Sequence, residues 1–508
     1  MRRTIVAGLA SCLLLAGCMD SGRTTGTGSP VPPPSQGSTS TDGGLGALAT
    51  YYRQKLDWSS CGDDQCASLR VPVDYAQPQK ASVQLRVEKA AATSGKPIGS
   101  LVVNPGGPGA PGGYLAADAS SYFAKPLRAA YDIVAFDPRG TGKSDPVDCL
   151  TDAQVDQFVA ENPAPSTPAE IKAYAAEGRT FWAGCRQHSD ALVAHVSTVD
   201  AARDIDILRA ALGQKKLDYL GFSYGTKLGA TYAELFPKKV GRMVLDGAED
   251  PALSTRQSAL HQAAGFETAL RSYVGSCVAK GSCFLGSSIS AGLAKISGLL
   301  DSIAKKPLPT KSGRELTVGN AFYGVIAPLY QRSEWYALDA GLQQALQGNG
   351  TVLMLLSDAY SSRNTNGTYS DNGIEAIGVI SCLDDPWAIA PDKVPSQYPA
   401  FEKASPTFGR VFAWGLTSCY GDPFRNTDRP GLKIDGAGAA PIVVIGTTRD
   451  PATPYEEAVA LAKELRSGVL ISRDGDGHTG YDKGNACVDD AVHAYLIDGK
   501  VPQDGLRC

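Results

Sequence analysis

Six short apolar runs constrain what this chain of 508 residues can become. Stretches 99–104, 131–136, 217–221, 240–245, 441–446 and 468–472 are dense in Val, Ile and Leu and run toward glycine-bearing turns at their C-terminal ends. Continuous apolar character over so few residues marks strands buried on both faces, as in a parallel sheet between helix layers. The intervening stretch 198–212 places Val199, Ala202, Ile205, Leu208 and Leu212 on one helical face. Strand, helix, strand order predicts a doubly wound α/β sheet with its site at the carboxyl ends of the strands. Ahead of it, 67–73 and 82–90 read as an antiparallel hairpin.

The alternation stops after Asp246 and resumes near Pro441. Residues 250–435 carry amphipathic helical patterns (291–303, 334–346) and a polar loop (361–372), and read as a mainly helical cap inserted between sheet-forming parts 46–249 and 436–508. At the other end, residues 5–17 are an apolar run behind Arg2 and Arg3, too short to span a bilayer permanently. It closes on Leu15-Ala16-Gly17-Cys18, which resembles a bacterial lipobox. Residues 1–17 are therefore expected to be a signal peptide, with Cys18 carrying lipid and the protein held on the extracellular face of the membrane. Residues 18–45 are mainly Ser, Thr, Gly and Pro, too poor in apolar side chains to fold, and form a tether reaching about 30 Å.

Beyond Cys12 and Cys18, ten cysteines remain, an even number suited to an oxidising compartment. Pairing of sequence neighbours is expected: Cys61 with Cys66, Cys149 with Cys185, Cys277 with Cys283, Cys382 with Cys419, Cys487 with Cys508. No CxxC pair occurs and histidine does not cluster with cysteine, which argues against zinc. The formal net charge is -4, with no basic block, so nucleic acid is a poor partner.

The chemistry is carried by Gly221-Phe222-Ser223-Tyr224-Gly225, a G-x-S-x-G pattern between a strand and a helix-compatible run, 226–236. Such an elbow exposes the serine hydroxyl at a helix N-terminus. A hydroxyl needs a base to take its proton, and five histidines are available. His188 and His195 precede the serine, His261 falls in the cap and His493 in a terminal helix at 488–497. His478 remains, in a flexible loop at 474–480 after the last apolar run. Asp450, after run 441–446, is the expected acid, with Asp474 and Asp476 as weaker rivals and a helix cap as the plain alternative. Backbone N–H groups of Gly107, in Asn104-Pro-Gly-Gly-Pro-Gly109, and of Tyr224 are the expected oxyanion donors.

Together NPGGPG (104–109), FDPRGTGKS (136–144), GFSYGT (221–226), LDGAEDP (245–251) and GTTRDPATP (446–454) resemble the tripeptidyl aminopeptidase and proline iminopeptidase family of α/β-hydrolases, secreted actinobacterial type. The resemblance runs from about residue 50 to the end. It implies an α/β-hydrolase fold with a mainly helical cap, and hydrolysis of peptide substrates from a free N-terminus, releasing tripeptides through an acyl-enzyme without metal or organic cofactor. A carboxylesterase or lipase with the same triad is the alternative. The family also implies carboxylates that hold the substrate ammonium, and here Glu249, Asp250, Glu375 and Asp384 are the candidates.

Overall fold

The computed structural model describes residues 46–424 and 432–508, except the side chain of residue 190; the expected signal peptide, the tether and Cys18 lie outside the described residues. Strands β1 (Ser59–Cys61), β2 (Asp64–Pro72) and β3 (Ser82–Ala90) come first. They are followed by β4 (Gly99–Asn104), β5 (Tyr131–Phe136), β6 (Leu217–Phe222) and β7 (Val240–Asp246). After a long interruption whose described residues hold only the two-residue strands β8 (Leu308–Pro309) and β9 (Glu315–Leu316), the sheet resumes with β10 (Ile442–Arg449), β11 (Gly468–Asp476) and β12 (Leu506–Arg507).

Ten of these strands form one sheet in the order β1-β2-β3-β5-β4-β6-β7-β10-β11-β12. The pairings from β1 to β5 are antiparallel and all later ones parallel. Successive residues alternate between two buried layers. Leu101 and Val103 pack with Ile133, Val443 and Ile445 on one side, whereas Val102 packs with Val134, Tyr219 and Val444 on the other. Burial of both faces is why the middles of these runs are consecutive apolar residues, as in Leu101-Val102-Val103 and Ile442-Val443-Val444-Ile445.

The chain reverses direction around β4, which lies between β5 and β6. Asn104, the last residue of β4, is in register with Gly221 of β6. This is a topological switch point, where loops leaving toward opposite sides open a crevice at the strand ends.

All six apolar runs correspond to strands, β10 beginning one residue after its run at Ile442, and β10 and β11 reaching three and four residues past the ends of theirs. The extension of β11 to Asp476 corrects the sequence reading of 474–480 as a loop, because Asp474 to Asp476 still belong to the strand. Between β7 and β10 most described residues are helical. Thr255–Ala279, Ile289–Lys305, Val318–Ile326, Trp335–Leu346, Thr351–Tyr360 and Gly373–Asp384 are the main helices, with their own apolar core around Phe266, Phe322, Leu338 and Phe408. The helix Pro168–Val193, for which the sequence reading had no counterpart, precedes β6 yet reaches this insertion, its Tyr174 ring lying 5.1 Å from Trp414. Disulfides join Cys61–Cys66, Cys149–Cys185, Cys277–Cys283, Cys382–Cys419 and Cys487–Cys508.

Candidate active site

The turn after β6 is built on backbone contacts that exclude side chains. Ser223 adopts φ 56°, ψ -129°, a region in which a non-glycine residue is strained by about 1–3 kcal/mol. Three bonds hold it there: its N–H donates to Asp246 O at 2.9 Å, and the Thr226 N–H and hydroxyl donate to its carbonyl at 2.7 and 2.6 Å. The helix Tyr224–Leu235 begins at the next residue, so its N-terminal N–H groups and dipole face the serine.

The loop after β4 lies directly against this turn. A Cβ on Gly106, whose φ is +101°, would meet Phe222 O at 2.6 Å and Ser223 Cβ at 2.8 Å. Only glycine allows that approach, and it brings the backbone of Gly106 alongside that of Ser223 and Tyr224. Asp137, at the end of the β5 segment, anchors the loop from behind by accepting the N–H groups of Gly113 at 3.0 Å and Lys143 at 2.9 Å. The FDPRGTGKS segment thus acts as a scaffold. Its Arg139 is fully buried against Asp204, at 2.6 Å, with three backbone carbonyls taking its other donors.

Asp450 begins the loop after β10 and His478 follows β11. The Nδ1–H of His478 donates to both oxygens of Asp450 at 2.9 Å. Backbone N–H groups of Ala452, Thr453 and Thr479 donate to the same carboxylate at 3.0, 3.0 and 3.1 Å. These donors hold the carboxylate in place, and because it accepts the Nδ1 proton, Nε2 of the neutral ring is left as the acceptor. That Nε2 is buried and has no hydrogen-bond partner among the described residues. The ring lies over Gly247, where a Cβ would come within 3.1 Å of its Cε1. Gly247 follows Asp246, whose carbonyl holds the Ser223 N–H, so the end of β7 touches both the serine turn and the histidine ring. Burial pushes the His478 pKa down, but Asp450 and then Asp246 outweigh it, and the net shift is upward. Asp246 is itself buried, its carboxyl pushed up to about 6 by desolvation against the N–H groups of Tyr481 and Gly480, which it binds at 2.8 and 2.7 Å.

The four acidic candidates separate. Asp384 accepts from the Thr198 N–H at 2.9 Å, the Thr198 hydroxyl at 2.5 Å and Lys227 Nζ at 2.8 Å. Thr198 in turn lies 2.6 Å from the Tyr224 hydroxyl. Glu249 faces the same group: burial pushes its carboxyl up to about 7, Lys227 opposes that shift, and Glu457 and Asp384 add to it. The other two are turned elsewhere. Glu375 accepts the N–H groups of Cys149 and Leu150 at 2.7 and 2.8 Å, and Asp250 accepts that of Ala252 at 2.8 Å.

Lys227, Thr198 and Tyr330 escaped the sequence reading. Lys227 carried a faint signal, a lone charge inside the otherwise apolar or small run Tyr224–Ala233. Tyr330, from the insertion, accepts the His478 N–H on its carbonyl at 2.7 Å, which nothing in the local sequence announces.

Ser223, Asp450 and His478 follow one another in the chain in the order Ser, acid, His and stand at the ends of β6, β10 and β11, and a hydroxyl, an imidazole and a carboxylate are the group types that acyl transfer needs. Residues 405–508 match the model of a family described as TAP-like protein. Serine protease Hip1 of Mycobacterium tuberculosis (strain ATCC 25618 / H37Rv) is 36% identical over 477 residues, spanning 90% of this chain and 91% of that protein. Carboxylesterase B of the same strain is 35% identical, spanning 94% of each chain. Tripeptidyl aminopeptidase of Streptomyces lividans is 30% identical, spanning 91% of this chain and 88% of that one.

Proposed function

The chain belongs to the tripeptidyl aminopeptidase-like family of α/β-hydrolases and is a serine hydrolase; from that premise we propose that it releases short peptides, tripeptides among them, from free N-termini through an acyl-enzyme on Ser223. His478 Nε2 takes the Ser223 proton as Oγ attacks the scissile carbonyl. The N–H groups of Gly107 and Tyr224 stabilise the oxyanion. Collapse of the tetrahedral intermediate breaks the C–N bond, and His478 returns the proton to the leaving amine. Water then adds to the acyl-enzyme by the same route and frees the peptide acid. Asp450 keeps the ring oriented and stabilises the imidazolium.

One observation carries the exopeptidase reading. Two carboxylates, Asp384 and Glu249, the latter within electrostatic reach of His478, share one cation, Lys227. Asp384 is fully engaged, which leaves Glu249 as an unmatched acid in a desolvated place. A substrate α-ammonium completes that charge count, and an unpaired charge there is costly. Glu249, with Asp384 behind it, is accordingly the proposed ammonium site. Acetylating the N-terminus of a peptide substrate is expected to cost about 3 kcal/mol, over a hundredfold in kcat/KM. Equal cleavage of free and acetylated peptides would remove this reading. The similarity to a carboxylesterase over most of both chains supports a second one, an esterase with the same triad. Turnover of a peptide anilide against a short-chain aryl ester separates the two.

The proposal extends to location. A lipid on Cys18 and the tether at 18–45 would hold residues 46–508 on the outer face of the cell membrane. Among the described residues no helix is long and apolar enough to cross a membrane. Phase partitioning in detergent, lost in Cys18→Ser, tests the anchor.

A further inference from the structure

The insertion touches the histidine loop at two points, two residues apart on each side. Tyr330 O accepts the His478 N–H at 2.7 Å, and Arg332 donates to Asp476 Oδ2 at 2.6 Å. Between them Gly477, at φ +97°, leaves room for the Tyr330 carbonyl, which a Cβ would meet at 2.8 Å. The Tyr330 ring also packs edge-on against the His478 ring, with centroids 5.5 Å apart.

Asp476 is more than one end of an ion pair. Its side chain is 4% exposed, and its Oδ1 takes the Ser272 hydroxyl at 2.5 Å and Arg449 Nε at 2.6 Å. Ser272 belongs to the helix Thr255–Ala279 of the insertion, and Arg449 directly precedes Asp450. Burial pushes the Asp476 carboxyl up, but the Ser272 hydroxyl and the two guanidiniums outweigh it, so the group sits below the usual carboxylate range. One ionised carboxylate therefore binds two insertion elements, the residue before the acid and the strand that carries the histidine.

We propose that Tyr330, Arg332 and Ser272 clamp the His478 loop through Asp476, so that the base reaches its working position only when the insertion is seated. This makes Arg332 and Asp476 positioning residues for the hydrolysis. It rests on the assignment of His478 as the base. The clamp should act on every acyl substrate, including one too small to use the ammonium site, because it acts on the base and not on the substrate.

Arg332 is the residue to change, since its side chain is 62% exposed and stacks only on Trp335 besides the pair. In Arg332→Gln, kcat for a free peptide anilide and for p-nitrophenyl acetate should both fall about tenfold with KM within about twofold, a loss of transition-state stabilisation alone. Arg332→Lys should recover most of it, and Ser272→Ala should reproduce the kcat defect more weakly, which keeps the test available should Arg332→Gln fold poorly. Unchanged kcat in both variants, or a rise in KM alone, overturns the clamp. Wild-type labelling by a fluorophosphonate at Ser223 is measured beside it. Absent labelling removes the triad assignment itself, whereas normal labelling with unaffected variants removes only the clamp.

Discussion

Left-handed glycines occur both around Ser223 and in the helical insertion, and they do different things. At the site, Gly106, Gly107, Gly109 and Gly477 have atoms within 2.6 to 2.8 Å of where a Cβ would stand. In the insertion, Gly281, Gly313, Gly348 and Gly421 have nothing within 4 Å. The first set is needed for close backbone approach as well as for its φ, the second for its φ alone. The strand ends are thus shaped by main chain that admits no side chain, and the insertion by packing of side chains such as Phe266, Phe322, Phe408 and Phe412, whose ring centroids lie 5.7 to 6.3 Å apart. Backbone approach is unforgiving; apolar packing tolerates exchange at a moderate cost.

The sharpest test of that contrast is Ser223→Ala. It should abolish fluorophosphonate labelling and lower kcat by about four orders of magnitude or more, with thermal unfolding little changed. Labelling that persists would dissolve the comparison, because the crowded turn would then not be the reactive centre.

Next in size is Gly106→Ala, which drives a methyl into Phe222 O and Ser223 Cβ. Turnover of even a small ester should fall at least about a hundredfold, since oxyanion donors must hold position to within a fraction of an ångström. A loss below about threefold would show that the loop can retreat at no cost.

The insertion should answer in stability. Phe408→Ala empties a position that is 1% exposed and should cost about 3–5 kcal/mol in unfolding free energy. The fraction that stays folded should keep its ester kcat within a few-fold. Gly348→Ala, at φ +84° with open space around it, should cost only about 1 kcal/mol, the backbone strain alone. Chemical denaturation measured beside kcat separates the two kinds of response.

The smallest effect is one of steepness with pH. His478 must be neutral to act, and its pKa is raised, so activity on any substrate should fall as pH drops through a value above the ordinary histidine range. Glu249 must be ionised to hold an ammonium, and its carboxyl sits at about 7. The acid limb of kcat/KM for a free peptide should therefore lose two protons, and that for an aryl ester one. Equal slopes would detach Glu249 from substrate binding.

Legibility followed the same division. The six runs and the elbow could be read because double burial removes polar residues from a strand and close approach demands glycine. Both leave marks in neighbouring residues. That Asp450 and His478 would lie side by side could be read because adjacent strand ends supply them. The substrate acids could not be resolved: Glu249, Asp250, Glu375 and Asp384 look alike in sequence, and their roles depend on which donors the fold turns toward them. Glu375 spends one oxygen on two N–H groups some 225 positions away in the chain.

By itself, then, the sequence determined the succession of strands along the chain, the serine in the turn after β6 and the chemical types of the candidate groups, because each is written in residues close in the chain. Only the tertiary structure decided that Lys227 pairs with Asp384, and that Tyr330 and Arg332 reach back to the histidine loop. Those pairings join residues more than a hundred positions apart. Their energy comes from desolvating specific partners together, a property of the packed chain that no local pattern of residues encodes.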